Sequence, residues 1–190
     1  MNENTTLMNW DELNILRVTA VETLQEQRKQ KDEKKLEEFC DYMEFVLCLI
    51  YAYGWHDAEQ VVGIVPFKDG LDNKCVNLEI REETFRDRVR EQMNAGSIEG
   101  ILRIIDTEAH RDYNTAVFDC GVKSGQPGLR KRWWTMADGR VRDTHTYLHG
   151  ARIGLMDKFY TFDGDSAFFP GGFSLPENNC NCRCWVTLVK

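Results

Sequence analysis

Near the end of the sequence three cysteines, Cys180, Cys182 and Cys184, fall within five residues, and two histidines, His145 and His149, stand four apart upstream. Thiolate and imidazole are the ligands zinc prefers, and two histidines at i and i+4 share one face of a helix, so these residues are the first candidates for chemistry. The cysteine spacing works against the idea. On a regular strand, the Cα atoms of residues 182 and 184 would be about 6.6 to 7 Å apart. Two sulfurs on one tetrahedral zinc must approach within roughly 4 Å, which only a bent or bulged segment allows. The same separation disfavours a Cys182–Cys184 disulfide. Two readings stand. In one, His145, Cys182 and Cys184 hold a structural zinc, with His149 or Cys180 as fourth ligand. In the other, which the spacing favours, both cysteines are small buried residues on the last strand. His145 then hydrogen-bonds a backbone carbonyl or a carboxylate such as Asp138 or Glu108.

A second constellation is Glu108, Arg140, Arg142 and His145, which together would line a cleft for a phosphate-bearing substrate with His145 as acid or base. No catalytic word supports it: the sequence contains no phosphate-binding Walker loop, nucleophile elbow, His-Glu-x-x-His or dinucleotide fingerprint. Asp163-Gly164-Asp165 resembles the start of a calcium loop but lacks the glutamate at the twelfth position, so it reads as a turn. Arg130-Lys131-Arg132 followed by Trp133-Trp134 combines cations with stacking surfaces, as a single-strand nucleic-acid binder would. The preferred reading is a solvated strand entry leading into core tryptophans.

These residues need elements to position them. Leu13, Leu16, Ala20 and Leu24 recur at helical spacing between Asp11 and about Lys31, and a second helix runs from about Leu36 to Tyr53 with Gly54 as its expected stop. That second helix is apolar on most sides near its end, as a core helix or a partner-binding one would be. Pro66, Gly70, Asp72 and Asn73 mark turns, and Val76, Leu78 and Ile80 alternate as a short strand does. Thr84 caps a helix carrying Phe85, Val89 and Met93, which Ala95-Gly96 ends. Ser97 caps the strongest helix, whose Ile98, Leu102, Ile105, Ala109, Tyr113 and Ala116 form one stripe. Across from that stripe Thr107, Arg111 and Asn114 share a face beside Glu108. They read as a wet side or as a buried polar network locking helix to sheet, and the network is preferred here.

Beyond this helix the period changes. Lys131 to Met136 reads as a strand, Asp138-Gly139 as a hairpin turn, and a brief helical turn capped by Asp143 or Thr144 ends at Gly150. Phe162, Phe168, Phe169 and Phe173 then sit among Gly164, Gly171 and Gly172, an adaptable loop whose rings cover the sheet or contact a partner. The fold class expected is α+β: N-terminal helices, a long central helix and a small C-terminal antiparallel sheet. The division expected is a helical region with irregular connection over 1–83 and a second domain over 84–190.

Composition bounds the function. The chain has 190 residues, 42% of them hydrophobic, enough to bury a core. Its longest purely apolar run, Phe45 to Tyr53, falls far short of the roughly 20 residues a membrane-spanning helix needs. The first six residues have neither the basic nor the apolar region of a secretory signal, so a cytoplasmic, soluble protein without membrane partners is expected. A formal charge of −7 argues against general nucleic-acid binding, leaving local contacts only.

Taken in order, Arg132-Trp133-Trp134-Thr135, Asp138-x-Arg140-x-Arg142-x-x-His145, Gly150 and Asn181-Cys182-Arg183-Cys184 resemble the C-terminal domain of Mu F-like minor head proteins, the head morphogenesis proteins of tailed bacteriophages. Thr107-Glu108, Arg111 and Asn114 match a second signature of that family, on the helix before the Trp strand. The resemblance covers about residues 85 to 190. It implies a structural motif of Thr107, Glu108, Arg111, Asn114, Trp134, Asp138, Arg140, Arg142, His145, Gly150, Asn181, Cys182, Arg183 and Cys184. It implies virion assembly rather than metabolism: a minor capsid protein in the host cytoplasm and then the procapsid or virion, with portal or other capsid proteins as partners, that travels with the DNA on ejection. Some relatives carry Cys-x-x-Cys before the Leu-x-Gly and His-Pro before the last Asn-Cys-Arg-Cys, which looks like a zinc site. Here Arg142 and His145 occupy those cysteine positions, and Asn179-Cys180 stands where His-Pro would. The cofactor expectation is therefore none, or one structural zinc. The competing functions are a nuclease-like or transferase-like enzyme around His145 and a phage regulatory protein that binds a host partner. A bound metal or a cleft at His145 would mark the enzyme, and an exposed apolar N-terminal groove would mark the partner binder.

Overall fold

A computed structural model describes residues 11–66 and 84–190 of the chain. The expected strand at Val76, Leu78 and Ile80 lies outside the described residues, as does the N-terminal hexapeptide. The fold is α+β. Its elements are α1 (Asp11–Lys29), α2 (Glu33–Val62), α3 (Phe85–Ala95), α4 (Ile98–Ser124), β1 (Arg130–Trp134), α5 (Asp143–Thr146), β2 (Arg152–Gly154), β3 (Phe159–Tyr160), β4 (Ser166–Ala167), α6 (Pro176–Asn179) and β5 (Trp185–Val189). Among the described residues they group into two compact units, 11–48 with 84–106 and 49–66 with 107–190. No helix among the described residues is long and apolar enough to cross a membrane.

The first unit is a helical packing problem solved by periodicity. Leu13, Leu16, Ala20 and Leu24 of α1 are buried, as the helical spacing requires. So are Leu36, Phe39, Met43 and Leu47 of α2 and Phe85, Val89 and Met93 of α3. Thr84 forms a full capping box with Asp87, and α3 ends at Gly96 in the left-handed region, φ 67°. The Arg28 guanidinium donates to Gly96 O, and Arg86 bridges Glu37, Asp41 and Glu44 at 2.6 to 3.0 Å. Ser97 Oγ accepts from Gly100 N at 3.0 Å and so caps α4.

The second unit contains the sheet. Its order is β2-β1-β5, all antiparallel, with Trp133 opposite Val186 and Lys131 opposite both Ile153 and Leu188. A separate two-stranded ribbon pairs β3 with β4. Side chains alternate on β1, so Lys131 and Trp133 point inward together.

Two local expectations are corrected. Gly54 does not stop the second helix, which continues to Val62 and gives way at Gly63, φ 82°. Gly54 is there for approach: a Cβ at this position would collide with the backbone oxygen of Tyr113 on α4. Asp138-Gly139 forms a turn, with Asp138 Oδ1 accepting from Arg140 N at 3.1 Å, but it does not join two strands of a hairpin. The return strand β2 starts only at Arg152, after α5.

Candidate functional site

The long helix α4 is buried on its polar side as well as its apolar one. Glu108, His110, Arg111, Asp112 and Asn114 are all at most 6% exposed. Such burial is costly without partners. Arg111 forms an ion pair with Glu108 one turn earlier. Asn114, with no exposed surface, reaches across to the sheet: its Oδ1 accepts from Val186 N at 2.9 Å and its Nδ2 donates to Cys184 O at 3.2 Å and His110 O at 2.8 Å. β5 is an edge strand of the sheet, so Asn114 satisfies backbone groups that a neighbouring strand would otherwise take. Burial pushes the Asp112 carboxyl well up against the opposing pull of Arg111, and its Oδ2 has no hydrogen-bond partner among the described residues.

The histidine and two of the cysteines meet. His145, on the single turn α5, and Cys182 and Cys184, between α6 and β5, are 1%, 5% and 3% exposed. Their ligand atoms all lie within 4.8 Å of one another, and His145 Nδ1 is 3.5 Å from Cys182 Sγ and 3.6 Å from Cys184 Sγ. The cysteines are not on the last strand, which begins only at Trp185. Asn181 bends the chain with φ 56°, and Arg183 is drawn off by a two-point pair with Asp138 at 2.6 and 2.8 Å, leaving both flanking sulfurs free to face inward. The Arg183 guanidinium also holds the Asp138 carboxyl well below the usual carboxylate range. The imidazole is clamped by rings, edge-on to Trp133 at 5.4 Å and stacked on Phe173 at 5.3 Å. Of the pair, Cys182 is the sulfur that ionises first: the Cys184 thiol donates to it, and His145 favours the anion despite burial. Cys184 is pushed up by that same donation and by burial.

Other expected site residues go elsewhere. His149 lies apart from the cluster: its Nδ1 accepts from Thr135 N at 3.2 Å, and its ring meets Trp134 edge-on. The helical turn at α5 ends at Thr146, so the i,i+4 relation with His145 is not expressed as a shared face. Cys180 is exposed. The side chain of Arg140 is 80% exposed beside Asp138, and Arg142 donates to the carbonyls of Glu177 and Cys180. Glu108 is committed to Arg111, so Glu108, Arg140, Arg142 and His145 hold four separate appointments. Gly150 takes φ 79° and its N–H donates to Trp133 O at 2.8 Å, closing the loop back onto β1. The Thr107 hydroxyl is buried without a hydrogen-bond partner among the described residues.

The basic stretch is not a solvated entry. Lys131 has no exposed surface, donates to Leu155 O and, at 2.7 Å, to Asp157 O, and lies over the rings of Phe118, Phe159 and Phe168. Burial pushes its amine down to about 8, with Asp157 opposing. The period-two alternation with Trp133 was the available signal for that inward placement. Arg132 lies 3.7 Å over Trp134, and only Arg130 of the three is exposed.

The aromatic loop splits. Phe168 and Phe169 pack on Phe118 of α4 and Phe173 packs on Trp133, while Phe162 stays 71% exposed, stacked at 4.0 Å on Tyr147. Asp165 organises the loop, a role that sequence reading missed when it assigned only a turn. Its carboxylate accepts from Ser166 N, Ser174 N and Oγ, Leu175 N and Asn178 Nδ2 at 2.7 to 3.2 Å. Burial opposes its ionisation, but Ser174 and the other donors hold it below the usual carboxylate range.

The second unit is thus a helix-backed three-stranded domain in which one buried asparagine and one buried histidine–cysteine cluster fasten the edge strand. The chain belongs to the family of Phage Mu protein F like proteins, whose model matches residues 77–187, more than half of the chain. It is 32% identical over 85 residues to NAD(+)--arginine ADP-ribosyltransferase EFV of Enterococcus faecalis (strain ATCC 700802 / V583), covering 44% of this chain and 17% of that protein. It is 31% identical over 61 residues to Minor head protein GP7 of Bacillus phage SPP1, covering 32% of this chain and 20% of that protein. The chain therefore spans no more than about a fifth of either curated relative. No solved structure matches it.

Proposed function

We propose that this chain is a phage or prophage head morphogenesis protein that acts in procapsid assembly near the portal. The family match over residues 77–187 carries the reading, and the similarity to a protein named as a minor head protein supports it. Similarity to both a minor head protein and a stretch making up 17% of an ADP-ribosyltransferase fits a docking or structural module better than a shared reaction. Burial agrees: the imidazole of His145 is 1% exposed, behind Trp133 and Phe173, where a substrate does not reach it. The partners proposed are portal or other capsid proteins, and the location is the host cytoplasm and then the virion.

Co-expression with portal and capsid proteins of the same phage or prophage tests the proposal. A complex that survives size exclusion, and incorporation into procapsids in infected or induced cells, is the expected result. A chain that stays separate from every head component, and whose deletion leaves head yield unchanged, refutes it.

A further inference from the structure

We propose that His145 Nδ1, Cys182 Sγ and Cys184 Sγ bind one zinc ion as a clasp between α5 and the entry to β5, supplying three of its four positions. The inference stands on the geometry and chemistry of the cluster and is independent of the assembly role. Zinc–sulfur bonds of about 2.3 Å and zinc–nitrogen bonds of about 2.0 to 2.1 Å at a tetrahedral angle put a ligating nitrogen about 3.6 Å from each sulfur. The observed separations are 3.5 and 3.6 Å. A hydrogen-bonded cluster explains this less well, because one imidazole nitrogen has a single lone pair or proton and would favour one sulfur over the other. Here both converge on it equally.

Charge and backbone agree. Two thiolates, a neutral imidazole and a divalent ion sum to zero, so the filled site can be buried without an unpaired charge. The ordinary objection to Cys-x-Cys, the length of a strand step, does not apply, because the pair precedes β5 and Asn181 bends the chain at φ 56°. Nε2 of His145 has no partner among the described residues, so the ring is oriented by Trp133 and Phe173 rather than by a second hydrogen bond. Softness selects the metal: two sulfurs and one nitrogen favour zinc over magnesium or calcium.

The test uses the full chain expressed in zinc-supplemented medium, dialysed, and measured by elemental analysis, with cobalt(II) exchanged in for its spectrum. One zinc per chain is expected, and the cobalt form should show intense tetrahedral d–d bands and a sulfur-to-cobalt charge-transfer band. That band should weaken by about half in C184S, while C180S should keep both full zinc and the full spectrum. A folded wild-type chain that takes up neither metal overturns the proposal even if the variants fail to fold. Stoichiometric zinc retained in the C182S/C184S double variant, or lost in C180S, also overturns it.

Discussion

Asn114→Ala is the substitution that most directly probes how the sheet is held to its helix. In the wild-type chain Asn114 has no exposed surface and satisfies Val186 N at 2.9 Å and Cys184 O at 3.2 Å. Alanine removes both partners and puts nothing in their place. A stranded buried donor costs about 1–3 kcal/mol, and the carbonyl, at its longer distance, falls at the low end of the same range. His110 O contributes little, because it also sits inside a helix whose own amides point at it. The expected loss is about 2–5 kcal/mol. In a protein of this size each kcal/mol lowers the thermal midpoint by about 2–4 °C, so a fall on the order of 4–20 °C is predicted. Urea unfolding followed by tryptophan fluorescence gives the free energy, with exposed Val122→Ala on the same helix as control. Amide exchange gives the location: the Val186 N–H should exchange faster in the variant. A loss within about 0.5 kcal/mol of the control, or an unchanged Val186 amide, would refute the role assigned to Asn114.

Further predictions follow from the same structure. Because burial lowers the Lys131 amine from 10.5 to about 8, the unfolded chain holds a proton between those values that the folded chain has released. The Lys131 contribution to stability should therefore be flat below about pH 8, rise from about pH 8 to 10.5 and level off, by up to about 3 kcal/mol at about 1.4 kcal/mol per pH unit. The difference in stability between wild type and Lys131→Met should follow that curve in pH-dependent urea titrations, and a difference that stays constant from pH 8 to 10.5 removes Lys131 as its source. Gly54→Ala, although alanine is the better helix former by about 1 kcal/mol, should lower the melting temperature, because the added Cβ meets the Tyr113 carbonyl. A stabilised variant would contradict that close approach. Asp165→Ala strands donors at Ser166, Ser174, Leu175 and Asn178, and limited proteolysis should then cut between residues 165 and 180 well before the wild type is cut. Equal protease resistance would show that the loop has other anchors.

The sequence by itself determined the helices and the family. Leu13, Leu16, Ala20 and Leu24, the Thr84 cap, Gly96 and Ser97 act over one to four residues, where spacing and side-chain chemistry alone decide the outcome. The ordered words from Thr107 to Cys184 were likewise readable, because a family pattern is a property of the string. What required tertiary structure was the choice of surroundings and partners for several polar or special residues. Gly54 looked like a helix stop, and becomes an approach point only because the Tyr113 backbone passes it. Lys131 looked solvated, and two distant carbonyls with three rings make its burial tolerable. Cys182 and Cys184 looked like strand residues too far apart to share a ligand. Asn181 and the Arg183–Asp138 pair bend them instead toward His145, while His149, equally eligible by spacing, turns to Thr135. Local spacing limits which side chains can meet; only long-range packing, which joins residues 37 to 72 positions apart here, selects the ones that do.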